Sequence, residues 1–256
     1  MAARSRRGAT LTNVILILGG TREGRELGQA LDRLGVAHVV SLAGRTTDPL
    51  VPRSVRVGGF GGPEGLAEYL AEHQVTTVVD ATHPFAATMT ENAAAACGEL
   101  GVRLIRVDRP GWQDHPDADA WHWVADHGEA AATVASLGER RVLLTVGRQH
   151  SLAYAPVLGR HAVVARAAEP PDGPLPAPWR LVLARGPFGL DDERRLFAEH
   201  GIDCLVTKDA GGSATEAKLT VAREVGAAVV IIRRPPLPGG MEVVPDVAAA
   251  LALLSP

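Results

Sequence analysis

Two lysines carry the first chemical signal in this chain. Of 26 lysines and arginines, only Lys208 and Lys218 are lysines, and both lie in the eighteen-residue stretch LVTKDAGGSATEAKLTVA. An ammonium is compact, rotatable and able to release its proton, whereas a guanidinium is planar and permanently charged. Retention of lysine in an arginine-writing chain points to a need for an ammonium, so Lys208 is expected to bind substrate closely or to supply a proton. Chance clustering of two rare residues is the plain alternative. Gly211 and Gly212 would let the backbone approach a ligand. Ser213 and Glu216 have capping-box spacing, which predicts a helix from that point, with Lys218 about one and a half turns in. Two other segments end an apolar run with glycine and a basic residue: TVGRQH with Arg148, and LARGPFG with Arg185. Ligands of open α/β sheets sit beyond the carboxyl ends of strands. Two guanidiniums and an ammonium around one crevice suit a substrate bearing several carboxylates. DDERR, Asp191 to Arg195, reads as a solvated helix start.

The amino-terminal half offers a different chemistry. In LGGTREGREL, Gly19, Gly20 and Gly24 follow the apolar run NVILI and open a helical pattern. Gly19 and Gly24 keep the outer spacing of a dinucleotide fingerprint. The first is expected to allow a sharp turn and the last close packing of helix on sheet. The middle glycine comes one place early, and Thr21 takes its usual position. Amide groups of Thr21, Arg22 and Glu23 at the helix start would still face an anion. Strand two ends SLAGRTT, with no carboxylate for a ribose hydroxyl but with Arg45, which suits a 2′-phosphate. Arg22 is a second cation within reach. NADPH is therefore expected rather than NADH. DATHPFA, Asp80 to Ala86, ends the fourth strand, with Thr82 or His83 as helix cap and Pro84 in the first turn. His83 and Phe85 are placed to line a nicotinamide slot, although Phe85 also reads as a core residue. A tyrosine four residues before a lysine is absent: His73 follows Tyr69 and Leu158 follows Tyr154 at that spacing. The nine histidines show no paired metal-ligand spacing, so no metal is expected.

These residues need strands and helices to hold them. NVILIL, HVVSLA, SVRVGG, TTVVDA and VRLIRV alternate with helical patterns over Gly24–Leu34, Pro63–His73 and Phe85–Leu100. The polar stretch PGWQDHPDADA interrupts them. Alternation resumes with WHWVA, RVLLTV, HAVVARA, RLVLARG, DCLVTK and AAVVIIRR, and Pro245–Leu254 reads as a last helix. The fold class is α/β: two Rossmann-like domains with mainly parallel sheets and a cleft between them. A leader over residues 1–12, a nucleotide domain over 13–110 and a substrate domain over 120–256 are the expected divisions. The formal charge is 26 minus 29, or -3, which does not indicate nucleic acid or membrane as partner. Cys97 and Cys204 are too few for a disulfide framework, and a cytoplasmic protein is expected.

Taken in order, LGGTREGREL, SLAGR, VRVGGFGG, VVDATHPFA, TKDAGG…TEAKL and VVIIRRP resemble the precorrin-6A reductases, the precorrin-6x reductase family of cobalamin biosynthesis. The similarity runs from Val14 to the final helix. It implies NADPH-dependent reduction of one double bond of a ring-contracted tetrapyrrole, with the macrocycle between two Rossmann-like domains. On this resemblance Gly19, Gly20, Thr21, Gly24 and Arg45 hold the cofactor, and Gly58, Gly59 and Phe60 border it. His83, Pro84 and Phe85 lie near the meeting point. Lys208, Asp209, Gly211, Gly212 and Ser213 meet the macrocycle, with Lys208 and Asp209 as candidate proton donors and water as their rival. A similar reductase of the cobalt-containing branch, or a Rossmann protein that senses NADPH without turnover, are the alternatives.

Overall fold

The computed structural model describes residues 14–43, 54–212 and 215–254. In chain order the elements are β1 (Val14–Leu18), α1 (Arg22–Leu34), β2 (His38–Leu42), β3 (Val55–Val57), α2 (Pro63–Glu72), β4 (Val75–Asp80), α3 (Ala87–Leu100) and β5 (Arg103–Val107). There follow β6 (His122–Val124), α4 (His127–Ser136), β7 (Arg141–Thr145), α5 (Arg148–Ser151), α6 (Ala155–Leu158), β8 (Ala162–Ala167) and β9 (Arg180–Leu183). The chain closes with α7 (Leu190–His200), β10 (Cys204–Lys208), α8 (Ala217–Glu224), β11 (Ala228–Ile232), β12 (Glu242–Val244) and α9 (Val247–Leu254).

These elements form two α/β units, each with a six-stranded parallel sheet. The strands are short apolar runs because helices cover both faces of such a sheet. In β1 the alternation is plain. Ile15 and Ile17 pack with Leu27 and Leu31 of α1 and Ala250 of α9. Leu16 and Leu18 point the other way, to Leu66 and Leu70 of α2 and Ala93 and Ala96 of α3. In the second unit Leu143, Leu205 and Ile231 meet Phe197 of α7 and Leu219 of α8.

The strand orders are β12-β5-β4-β1-β2-β3 and β6-β11-β10-β7-β8-β9. Both follow the Rossmann 3-2-1-4-5-6 plan, whose order reverses between the first and fourth strands. Those reversals fall between β1 and β4 and between β7 and β10. The sixth positions are exchanged. β6 follows β5 in the chain yet pairs with β11, and β12 follows β11 yet pairs with β5.

This exchange corrects the expected divisions. The amino-terminal unit takes residues 1–109 and 236–256, and the other unit takes 110–235. The segment from 236 on thus returns to the amino-terminal unit, where Arg103 also forms a two-pronged pair with Glu242 at 2.7 and 2.8 Å. PGWQDHPDADA is no bare connection either: Trp112 and Ala118 within it, and Trp121 directly after it, are buried in the second unit's core. β12 escaped detection because it has three residues, two of them exposed.

All four tryptophans lie in the second unit, at 112, 121, 123 and 179. Ending the chain after Pro235 should therefore melt the first unit selectively. Each large apolar side chain uncovered there costs about 1.5–3 kcal/mol. Circular dichroism should lose its share from that unit, while the tryptophan-emission midpoint stays within a few degrees. A parallel collapse of both signals would contradict the assignment.

Candidate functional site

The turn from β1 to α1 leaves its backbone open at Gly20. Thr21 caps α1: its hydroxyl accepts from the Gly24 N–H at 3.2 Å and donates to the Ala81 carbonyl at 2.6 Å. The side chain is thus turned inward, and Thr21 offers a ligand its backbone only. Gly20 makes the sharp turn, with φ of 105°, and a Cβ there would meet nothing within 4 Å. Gly19 instead packs against β2, where a Cβ would lie 3.1 Å from Val40 Cγ1. The turning role expected of Gly19 therefore belongs to Gly20. A Cβ on Gly24 would sit 3.0 Å from Gly19 Cα, which is the close approach expected of the third glycine. The acidic and basic side chains are otherwise engaged: Arg22 bonds Glu26 at 2.6 Å, and Glu23 pairs with Arg109 at 2.9 Å. Arg45 lies outside the described residues.

Across the strand reversal, DATHPFA is held from beneath. Asp80 accepts from the Thr82 amide and hydroxyl at 3.0 and 2.7 Å and from Thr90 at 2.6 Å. Arg106 of β5 reaches Asp80 at 2.9 Å and donates to Thr82 at 3.0 Å; both ends of this pair are fully buried. Thr82 is a strut of this network, not the expected cap. Nor does a helix begin at Pro84: α3 starts at Ala87, and no side chain caps it. His83 Nδ1 accepts the Phe85 N–H at 3.2 Å, and the two rings lie 5.9 Å apart. Nearby, Arg56 bonds the carbonyls of Gly58 and Gly59 at 2.6 and 2.8 Å and covers the Phe60 ring at 3.7 Å. This fixes the β3–α2 loop beside β2.

In the second unit Lys208 ends β10 at the other strand reversal. Burial lowers its pKa to about 8. It acts electrostatically on two histidines that the sequence had not singled out, His127 opening α4 and His150 in α5. Their rings stack 4.2 Å apart, and His127 Nδ1 lies 2.9 Å from the Tyr154 hydroxyl. Burial, then the neighbouring His150 and Lys208, take His127 down to about 4; burial and Lys208 lower His150 also. HGEAA after a strand and the last letter of TVGRQH were the available signals.

Asp209 is built for holding. It is 1% exposed; Oδ1 accepts the Trp112 N–H at 2.9 Å and Oδ2 lies 3.5 Å from Arg234 Nε. A Cβ on Gly111 would come within 2.6 Å of the same carboxylate. Gly211 has φ of 65°, and the space a Cβ would need is filled by the Pro110 carbonyl and Arg234. Its missing side chain therefore admits the protein's own backbone rather than a ligand. Gly212 also has positive φ, 73°. Ser213 lies outside the described residues, and α8 begins at Ala217, later than the capping spacing implied.

The three expected cationic strand ends do not form one set. Arg148 pairs with Asp172 at 2.9 Å and Glu169 at 3.5 Å, both in the Pro-rich segment before β9. Arg185 is exposed beyond β9, the edge strand three places from β10. Lys218 lies on the other face of the sheet from Lys208. Thr145 and Thr207 are register partners, and Thr145 lines a cavity together with Arg166 and Lys218. Lys208, one residue after Thr207, points the opposite way. DDERR is corrected as well: Glu193 is 2% exposed and bonds Arg166 through both oxygens at 2.9 and 3.0 Å. Among the described residues no group of three metal-ligating side chains occurs, and no helix is long and apolar enough to cross a membrane.

Residues 14–255 match the family model described as "Precorrin-6x reductase CbiJ/CobK". A curated "Precorrin-6A reductase" of Rhodococcus erythropolis is 50% identical over 240 residues, covering 93% of this chain and 96% of that protein. A "Cobalt-precorrin-6A reductase" of Priestia megaterium is 28% identical over 240 residues, covering 89% of this chain and 92% of that one. A solved structure titled "CobK precorrin-6A reductase" superposes with a TM-score of 0.85 at 38% identity, covering 94% of this chain and 96% of that one.

The Asp80–Arg106 pair makes a sharp prediction. Asp80→Asn leaves a buried guanidinium with only the partly exposed Asp108, 3.6 Å away, as counter-charge, and breaking such a pair costs up to about 3–5 kcal/mol. Replacing both partners, as Asp80→Asn with Arg106→Met, should recover much of that loss in a denaturant melt. Equal losses in single and double variants would show that the pair is not coupled.

Proposed function

The chain belongs to the precorrin-6x reductase family, and we propose that it reduces one double bond of precorrin-6A to give precorrin-6B, with NADPH as reductant. It is an oxidoreductase acting on a CH–CH bond. Identity of 50% to a precorrin-6A reductase against 28% to a cobalt-precorrin-6A reductase favours the metal-free substrate.

Two observations, one in each unit, support the chemical reading: an open amide turn at the first strand reversal, and a lysine with a lowered pKa at the end of β10. When bound, NADPH supplies the hydride. The chain's own part begins with the pyrophosphate. Amides at the start of α1 face it, Gly20 leaves it room, and the helix dipole favours its charge. The Asp80–Arg106–Thr82 network holds His83, Pro84 and Phe85 in one loop conformation beside that turn. Arg45 reads the 2′-phosphate. The arginine nearest in register along β2, Arg56, is already committed to the Gly58 and Gly59 carbonyls.

Reduction of a carbon–carbon double bond also needs a proton on the neighbouring carbon. Lys208 is the proposed donor. With a pKa of about 8 it is mostly charged at neutral pH, yet gives up its proton more readily than an exposed lysine. Asp209 acts through position: it ties the end of β10 to Trp112 and Arg234 and so fixes the backbone on which Lys208 stands.

Absorbance of NADPH with and without precorrin-6A tests the reaction. Oxidation should require the tetrapyrrole; cofactor binding without substrate-dependent oxidation would show a sensor instead. Arg45→Ala should raise KM for NADPH about 10- to 100-fold with little change for NADH, the loss expected for a charge-assisted hydrogen bond. An unaltered NADPH preference would remove Arg45 from the site. For Lys208 the sign follows from its acid form: kcat should fall as pH rises through about 8, because the donor loses its proton. Lys208→Arg should lose that limb and about 100-fold or more in kcat. Unchanged turnover in this variant would assign the proton to water.

A further inference from the structure

The amino ends of β7, β8 and β10 lie side by side in the second sheet: Arg141 is the register partner of Ala162, and Val142 that of Cys204. A cavity of about 380 Å³ opens there, lined by Glu139, Arg140, Arg141, Arg160, His161 and Asp203 beside Ala162. β7 and β10 have five residues each, so at about 3.3 Å per residue roughly 15 Å of sheet separate this cavity from the strand ends that carry Gly147 and Lys208. It is remote from the second strand reversal.

Three guanidiniums and two carboxylates share its wall, yet none of the three arginines forms an ion pair among the described residues. Arg140 Nε donates to the Leu137 carbonyl at 3.2 Å. The Arg141 guanidinium occupies the space beside Gly201, whose φ is 60° and whose Cβ, if present, would lie 2.8 Å from Nη1. Asp203 accepts the Arg141 main-chain N–H at 2.9 Å and so ties strand to strand. His161 Nδ1 is buried with no hydrogen-bond partner among the described residues. Other arginines of this unit do meet carboxylates at 2.8–2.9 Å: Arg148, Arg166 and Arg194. Guanidiniums that converge without such contacts favour an incoming anion.

The wall also says which anion. A planar guanidinium presents paired donors that match phosphate oxygens. Glu139 and Asp203 repel a bare anion but accept hydrogen bonds from hydroxyl groups. The volume falls within the roughly 300–1,000 Å³ of small-molecule sites. Phosphate at the arginines and hydroxyls at the carboxylates describe a sugar phosphate, free or within a nucleotide.

We propose that this cavity binds a sugar phosphate, with Arg140, Arg141 and Arg160 on the phosphoryl group, Glu139 and Asp203 on the sugar hydroxyls, and His161 contributing a ring nitrogen. The proposal is independent of the tetrapyrrole reading. Histidine labelled with 13C at Cε1 gives signals for nine residues, and His161→Gln identifies that of His161 by its loss. Ribose 5-phosphate, titrated to about 10 mM, should move this signal along a saturating curve with a midpoint of about 1 mM or below. Inorganic phosphate should need at least about threefold more, and ribose alone should leave the signal in place. AMP with a lower midpoint than ribose 5-phosphate assigns the site to nucleotides, and a higher one to free sugar phosphates. In the double variant Arg140→Gln with Arg160→Gln the midpoint should rise at least about tenfold, the loss expected for charge-assisted hydrogen bonds. Arg160 is exposed and Arg140 half-buried, so this variant should melt as the parent does. A stationary His161 signal, or equal midpoints in parent and variant, would overturn the site. Equal midpoints for phosphate and ribose 5-phosphate would overturn the sugar-phosphate assignment.

Discussion

A buried charge needs a partner, and at the carboxyl ends of these two sheets that requirement governs the structure. Asp80 with Arg106 and Glu193 with Arg166 each bury a carboxylate and a guanidinium at or beside strand ends, and buried Asp209 meets the partly exposed Arg234. Such pairs add little net stability, since desolvation offsets most of the attraction. What they supply is position. Asp80 and Arg106 hold Thr82 and the loop after β4; Asp209 fixes Trp112 to the end of β10. Arginine suits this work because it keeps its charge when buried and offers several donors, two of which reach Glu193 from Arg166. None of these three pairs contains a lysine.

The topology explains why the candidate residues of each unit fall where they do. Each sheet reverses order once, between β1 and β4 and between β7 and β10, and adjacent strand ends there diverge toward opposite helical layers. LGGTREG and DATHPFA flank the first reversal, TVGRQH and TKDAGG the second. The exchanged sixth strands sit at one edge of each sheet, beyond β5 and β11, and leave these reversals untouched. They make the final helix part of the first unit's core, through Ala250 and its apolar neighbours. The carboxy-terminal segment thus serves the unit that begins the chain.

Much of this was legible in the residues. Val- and Ile-rich runs that are buried on both faces read clearly as parallel strands, and the two glycine-rich turns stood out because backbone conformation and close approach demand glycine. What escaped detection depended on partners distant in sequence. Nothing local reveals that Arg106 meets Asp80, or that Arg166 meets Glu193 twenty-seven residues on. A signal was present all the same: RLIRV and AVVARA each place an arginine inside an otherwise apolar strand. DDERR hid its buried member because four of its five residues are exposed or half-exposed, whereas Glu193 and Phe197, four apart, share the inward face of α7. The lysines were found by rarity, but rarity could not show that strand parity sends them to opposite faces. The strand exchange was invisible because β12 is too short to carry a pattern.

The central claim is that a hydride from the nicotinamide and a proton from Lys208 enter one double bond of the tetrapyrrole. Mass analysis of the product from a single turnover with NADPH deuterated at both C4 positions, in ordinary water, tests it most directly. The account predicts that precorrin-6B carries one deuterium, and that Lys208→Arg slows product formation without changing that content. A product free of deuterium, or cofactor consumption with no reduced tetrapyrrole, would contradict it.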